Sequence, residues 1–254
     1  MDVDKIVAAF RYEIRNVVWQ GEVVEKLPHV TRRSTGIGLS NYITSFDLNE
    51  SNADEQIRLQ IEHFKNAGRD FEWKTFSFDL PSDLNDRLRA AGFTVGNREA
   101  VVIYDLSSGL GPFEGPFNCD VRLVESFSQL DEFRSVAESV FCKDYSFTTA
   151  QLAEALEAGR TGHDAYVAYV GDDPVSIGRL YTDPNSAFAG LYGGGTLPAY
   201  RGQGCYRAVT AARAHTAHSR GARYVQVDAL PTSLPILLRL GFVKVADTWP
   251  CSFA

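Results

Sequence analysis

The sequence predicts an α/β fold in which a mixed central sheet is flanked by helices, used twice along the chain. Helical apolar spacing alternates with short strand-like runs, and the two halves echo each other. The first half holds a helical pattern (Ile57, Ile61, Phe64), then Gly68, the strand-like "FEWKTFSFDL" and "LPSDLNDRLRAAGF". The second holds a long helical pattern ending at Gly221, then "YVQVDAL" and "LPTSLPILLRLGF". Asp79 stands as far before Gly92 as Asp228 stands before Gly241, and both segments carry Leu-Pro early and Gly-Phe at the end. Short α/β units share turn chemistry, but a duplicated fold accounts for the pairing best. The expected halves are residues 1–106 and 118–254, joined by the Gly-, Pro- and Ser-rich "SSGLGPFEGPFN", Ser107 to Asn118.

From Cys119 the second half reads as a full order of elements. "CDVRLV" alternates as a strand. Ser128 is placed to cap a helix burying Leu130, Phe133, Ala137 and Val140. The loop "CKDYSF" leads to a helix from Thr149 that stops at Gly159. "AYVAYV", the turn "GDDP" and "VSIGRLYTD" form a hairpin, and "DPN" turns into a strand of small residues, "AFAGLYGGG". A long helix then runs to Arg220, with Gly221 as its stop. A strand, a short helix and a final strand from Val243 complete the half, in the order β-α-α-β-β-β-α-β-α-β. In the first half, Trp73 and its aromatic neighbours belong to a core, and Gly36–Gly38 ("GIG") reads as a turn or bulge.

Composition narrows the function. The formal charge of −7 over 254 residues argues against nucleic acid as the main partner, because no basic excess exists to displace counterions. Cys119, Cys142, Cys205 and Cys251 are far apart and form no C-x-x-C pair, which fits a reduced, cytoplasmic protein rather than a disulfide framework. The opening "MDVDKIVAAFRYEIRN" lacks a basic region followed by an apolar core, so it does not read as a signal peptide. No apolar run is long enough to span a membrane. His215 and His218 form H-x-x-H on the long helix, without a third ligand at suitable spacing; a solvated helix face, and no metal, is expected there.

The segment "TLPAYRGQGCYRAV" carries the chemistry. It places an arginine and two glycines where a strand hands over to a helix. Backbone N–H groups lack partners at such a terminus, and glycines let a phosphate approach them. The dinucleotide pattern G-x-G-x-x-G fails because Arg207 replaces its third glycine, and no G-x-x-x-x-G-K-[ST] occurs. With the order of elements around it, this turn resembles that of the GNAT superfamily of acyl-CoA-dependent N-acyltransferases, whose signature is R/Q-x-x-G-x-G/A between its fourth strand and third helix. Arg201 and Gly204 match, and Tyr206 replaces the usual Gly or Ala. The resemblance covers residues 119–254 and reaches the first half only through the internal echo. It implies a tandem arrangement with a degenerate N-terminal copy.

The resemblance further implies acetyl-CoA as co-substrate, with its pyrophosphate on the N–H groups of Gly202, Gln203, Gly204, Cys205 and Tyr206. The pantetheine arm would lie along the strand edge at Thr196 and Leu197, and the loop Cys142–Phe147 would shape the acceptor pocket. The expected acceptor is an amine of a small molecule or peptide; a homodimer is admissible, with no nucleic acid and no membrane. Tyr206 could pack beside the cofactor or cover the helix start. Many members carry a tyrosine acid four residues before the Gly-Phe pair, where this chain has Leu237. Tyr192 and Asp228 are the candidates for moving protons; the competing readings are that Tyr192 packs and Asp228 caps a turn. A binding module without turnover is the alternative to an enzyme.

Overall fold

The computed structural model describes residues 2–19, 21–35, 40–159 and 162–254; the Gly36–Gly38 segment lies outside them. The chain forms two compact units. One comprises residues 2–102, 228–235 and 244–254, and the other residues 103–227 and 236–243.

In the first unit, Ile6 and Phe10 recur on one face of α1 (Val3–Asn16), whose start is capped by the Asp2 carboxylate. The strands β1 (Glu22–Lys26), β2 (Val30–Thr35) and β3 (Ser40–Phe46) form an antiparallel meander. After α2 (Ala53–Asn66), β4 (Phe71–Phe76) pairs parallel with β3. Then come α3 (Leu84–Ala90), the short β5 (Thr94–Val95) and β6 (Glu99–Asp105), within which the chain passes to the other unit. Trp73, Ile43, Ile57 and Leu88 are fully enclosed at the centre of this core.

In the second unit, β7 (Asp120–Leu123), β8 (His163–Val170), β9 (Asp173–Tyr181) and β10 (Phe188–Thr196) are successively antiparallel, and β11 (Tyr224–Ala229) joins β10 in parallel. The helices α4 (Phe127–Phe141) and α5 (Ser146–Glu157) cover one face; Leu130, Phe133 and Ala137 pack with Val167 and Ile177. On α6 (Cys205–Ser219) the buried stripe is Cys205, Ala208, Val209, Ala214 and Ala217. The short α7 (Leu234–Arg239) follows β11.

Two sequence expectations change, the helix starts and the place of the last strand. The cap of α4 is Ser126, which accepts from the Gln129 N–H while Gln129 Oε1 accepts from the Glu125 N–H; Ser128 lies inside the helix, and Thr149 lies inside α5. The Ser-x-x-Gln spacing is a capping-box pattern that starts two residues earlier. Most of the segment 107–118 is exposed, but Phe113 is buried and meets Tyr104 edge-on, and the Tyr104 hydroxyl donates to the Gly109 carbonyl. The last strand, β12 (Val243–Phe253), does not complete the second-half sheet. It pairs antiparallel with β4, Cys251 opposite Trp73, and with β5. Its alternating Trp249, Cys251 and Phe253 contribute to the Trp73 core, and that burial favours the pairing with β4.

The internal echo has a structural counterpart. α2–β4–α3 and α6–β11–α7 run in the same order, each ending in Gly-Phe. Past α2 the Arg69 N–H reaches the Phe64 carbonyl, and past α6 the Ala222 N–H reaches that of Ala217. Past α3 and α7, Phe93 and Phe242 donate to Leu88 and Leu237. Gly68, Gly221, Gly92 and Gly241 all take positive φ, which these helix stops require. Among the described residues no helix is long and apolar enough to cross a membrane.

Candidate active site

β10 holds the site because it loses one neighbour partway along. It pairs with β11 only from Phe188↔Tyr224 to Gly190↔Gln226. From Leu191 to Thr196 it stays laddered to β9 alone, with an irregularity between Tyr192 and Gly195 where Gly193 turns to φ +56°. The strand edge there is open to an added chain.

A short 3-10 turn, Pro198–Tyr200, leads out of β10. Arg201 folds back so that its Nε donates to the Thr196 carbonyl at 3.1 Å. Gly202 and Gly204 have φ of +76° and +90°, and a Cβ on either would meet nothing within 4 Å. The first α6 ladder bond runs from the Ala208 N–H to the Gly204 carbonyl, so the N–H groups of Cys205, Tyr206 and Arg207 precede the ladder. Gly204 offers no side-chain cap. These N–H groups ahead of the ladder, the positive end of α6 and open space together fit an anionic phosphate group.

The other predicted positions fall as follows. Thr196 is buried, its hydroxyl 2.8 Å from that of Ser176. Leu197 gives its N–H to the Val175 carbonyl of β9 at 2.9 Å, so that donor faces away from the open edge. Gln203 is exposed and bonds the Ala199 carbonyl. Cys205 is buried beside Cys119, whose thiol is pushed up to about 12 by burial and by that neighbour. The Tyr206 ring lies over β10, with Cε2 3.0 Å from where a Cβ on Gly194 would stand. The ring takes space that β10 leaves by having glycine there. His215 and His218 are exposed.

Tyr192 sits opposite Arg179 in the β10–β9 register, and its ring folds over Gly190 and meets Tyr181 edge-on. Asp228 belongs to the first unit, where it forms an ion pair with Lys74 of β4 rather than a cap on the following turn. Beside this pair, burial raises the Glu72 carboxyl, opposed by the Lys74 charge and helped by that of Asp228. Leu237 is a fully enclosed core residue.

Sequence reasoning missed two arginines. Arg213 is buried in α6 and its guanidinium is ringed by neutral acceptors: Nη1 donates to the carbonyls of Arg179 and Tyr192, and Nε to that of Val209. Burial pushes it down to about 10. Arg179 lies on β9, its Nε enclosed and without a hydrogen-bond partner. The available signal was a lone charge inside each apolar pattern, "VSIGRLY" and "AVTAARAHTA".

No family model matches the chain, and no curated protein matches it. Solved structures do. A GCN5-related N-acetyltransferase from Kribbella flavida aligns over 98% of this chain and 95% of its own, with a TM-score of 0.69 at 15% identity. A tandem GNAT protein from the clavulanic acid biosynthesis pathway aligns over 99% and 87%, with a TM-score of 0.56 at 12% identity. A GCN5-related N-acetyltransferase from Sphaerobacter thermophilus aligns over 89% and 80%, with a TM-score of 0.57 at 11% identity. The fold is therefore that of the GCN5-related N-acetyltransferases. In this chain that fold carries the glycine turn at the start of α6, with a tyrosine in its last position.

Proposed function

We propose that this chain is an N-acetyltransferase that moves the acetyl group of acetyl-CoA to an amine of a small molecule or peptide by direct attack. The observation that carries the reading is the parting of β10 from β11 immediately before a glycine turn at the N-terminus of α6. Acetyl-CoA supplies the acetyl group as a thioester with a good thiolate leaving group. The N–H groups of Gly202 to Tyr206 hold its pyrophosphate, and Arg201, pinned to Thr196, stiffens the turn. The open edge of β10 up to Thr196 aligns the chain that reaches from the pyrophosphate to the reacting carbon. The attacking amine must lose a proton, and Asp228 or Tyr192 takes it directly or through water. In this reading residues 118–254 carry the transferase and residues 1–106 the degenerate copy, with the last strand paired to β4 of the latter.

One observation favours a second reading, an acyl-CoA-binding module without turnover: Leu237 offers no titratable group at the position where many GNAT members keep a tyrosine. Calorimetric titration of acetyl-CoA alongside thiol release over a panel of amines separates the two. Binding with amine-dependent thiol release supports the enzyme. Binding without it supports the module, and absence of binding removes both.

A further inference from the structure

The second unit keeps a guanidinium whose enclosed Nε has no hydrogen-bond partner among the described residues. This is Arg179, and among the described residues no carboxylate pairs with its side chain. Its ionisable neighbours are the phenols of Tyr145, Tyr192 and Tyr181 and the like charge of Arg213. Desolvation lowers its hold on the proton, as expected for a cation lacking a counter-ion. An unpaired buried cation costs several-fold more than a paired one, so it is retained only where something compensates it.

The surroundings indicate what does. Gly193 stands beside the guanidinium: its missing Cβ would lie 3.3 Å from Arg179 Nε and 3.8 Å from the Tyr145 hydroxyl. Glycine therefore leaves a gap bordered by an N–H and an O–H donor. Arg179, Tyr181 and Tyr192 are only partly buried, so the place is reachable from solvent. Tyr192 is the cross-strand partner of Arg179, which puts the cation level with the stretch of β10 that has left β11. The neighbouring Arg213 differs, since its donors are taken by backbone carbonyls and the Thr210 hydroxyl. Of the two neighbouring guanidiniums only Arg179 has a donor left over, and one such fork flanked by phenols matches one carboxylate.

We infer that Arg179, with the Tyr145 and Tyr192 hydroxyls, is a carboxylate-binding subsite, and that the acceptor is an amino acid or another amine bearing a carboxylate. The inference rests on the acyl-transfer reading for the word acceptor, but the anion site stands independently of it. The test uses L-amino acids, each paired with its own carboxamide, and phosphoethanolamine as a phosphate-bearing amine. Thiol release from acetyl-CoA is followed, and binding of the same compounds in the presence of CoA is measured by calorimetry. Loss of one charge-assisted bond corresponds to roughly 10-fold to 100-fold, so the best acid should exceed its amide by that factor in kcat/KM. Arg179→Gln should bring the acid down toward the amide, and Arg179→Lys should keep part of the preference. Equal treatment of acid and amide by the wild-type protein overturns the proposal, and this comparison needs no variant to fold. So does an intact preference in folded Arg179→Gln, or phosphoethanolamine surpassing every carboxylate. If no amine is acetylated, binding decides. Acid-selective binding that Arg179→Gln abolishes supports the subsite while the acyl-transfer reading falls, and absent or unselective binding overturns the subsite.

Discussion

The guanidinium of Arg213 fills the space beside Gly178, where a Cβ would lie 2.6 Å from its Cζ and 2.8 Å from Nη1. A helix residue thus reaches the sheet only because β9 has glycine there. From that position Arg213 binds the backbone carbonyls of Arg179 and Tyr192, one on each side of the β9–β10 ladder, just where β10 becomes irregular. The arginine acts as a clamp under the open strand edge.

The clamp predicts coupling. Gly178→Ala should destabilise by about 1–3 kcal/mol, as overpacking of a close core does. Arg213→Ala should also destabilise, because two strand carbonyls lose a donor at about 1–3 kcal/mol for each group left unsatisfied. Once Arg213 is gone, only Val209 Cγ1, 2.8 Å from the added Cβ, has to give way, so Gly178→Ala should cost less in that background than in the wild type. Urea unfolding of the four proteins measures the cycle; additive losses would mean that the two residues do not share the space.

The turn at α6 predicts the binding of acetyl-CoA. At a ligand concentration 100 times the dissociation constant the wild-type protein should gain about 2.7 kcal/mol. Arg201→Ala should weaken binding moderately, since it frees the turn from Thr196 without removing an N–H donor. Gly204→Val should nearly abolish it: a branched side chain at φ +90° is strained and stands in the open space before the helix. Melting without ligand shows how much of the loss is folding. Undiminished binding by Gly204→Val would place the phosphate elsewhere.

Much of this was legible in the sequence, and the reasons it was differ from the reasons the rest was not. The glycine turn and the paired helix stops at Gly68, Gly221, Gly92 and Gly241 are local, and local backbone demands leave a local mark. The last strand is not local. Its alternation shows that Trp249, Cys251 and Phe253 need a core, and nothing within "DTWPCSF" says that Trp73 supplies it. The run Gly193–Gly195 reads as a featureless small-residue strand, yet each glycine yields to a different neighbour: Arg179, Tyr206 and Val140. Such reciprocal space is written in two distant places at once. Arg179 and Arg213 escaped for the opposite reason, because composition places arginine outside and only the fold encloses it.

In the first unit, Asp79 predicts a dependence of stability on acid. Burial raises its carboxyl from 3.8 to about 6, against the N–H bond from Phe76 and the charges of Arg15 and Arg11. The folded chain therefore holds this proton more tightly than the unfolded chain. Its contribution is fully present below pH 3.8 and is lost as pH rises to about 6. For a partly solvated group the effect should be on the order of 1 kcal/mol. Asp79→Asn keeps an acceptor for the Phe76 N–H and cannot ionise, so it should be more stable than wild type at pH 7.5 and not at pH 3.5. Urea midpoints at the two values check this. A gain of equal size at both would assign it to something other than ionisation.

Proton removal from the amine separates Asp228 from Tyr192. An alkylammonium titrates near pH 10.4, so at neutral pH the deprotonation is the demanding step, and a general base is worth about 100-fold to 10,000-fold. Lys74 holds Asp228 in an ion pair. If Asp228 is the base, Asp228→Asn should remove the acidic limb of the kcat/KM profile with a rate loss in the same range. Tyr192→Phe should then leave the limb in place and change only the level, through the loss of one hydroxyl beside Arg179. Should the limb vanish in Tyr192→Phe and stand unmoved in Asp228→Asn, the phenol is the base and the Lys74–Asp228 pair is structural. Acetyl-CoA binding measured on each variant keeps a lost proton acceptor distinct from a lost co-substrate site, because Asp228 does not belong to the turn at α6.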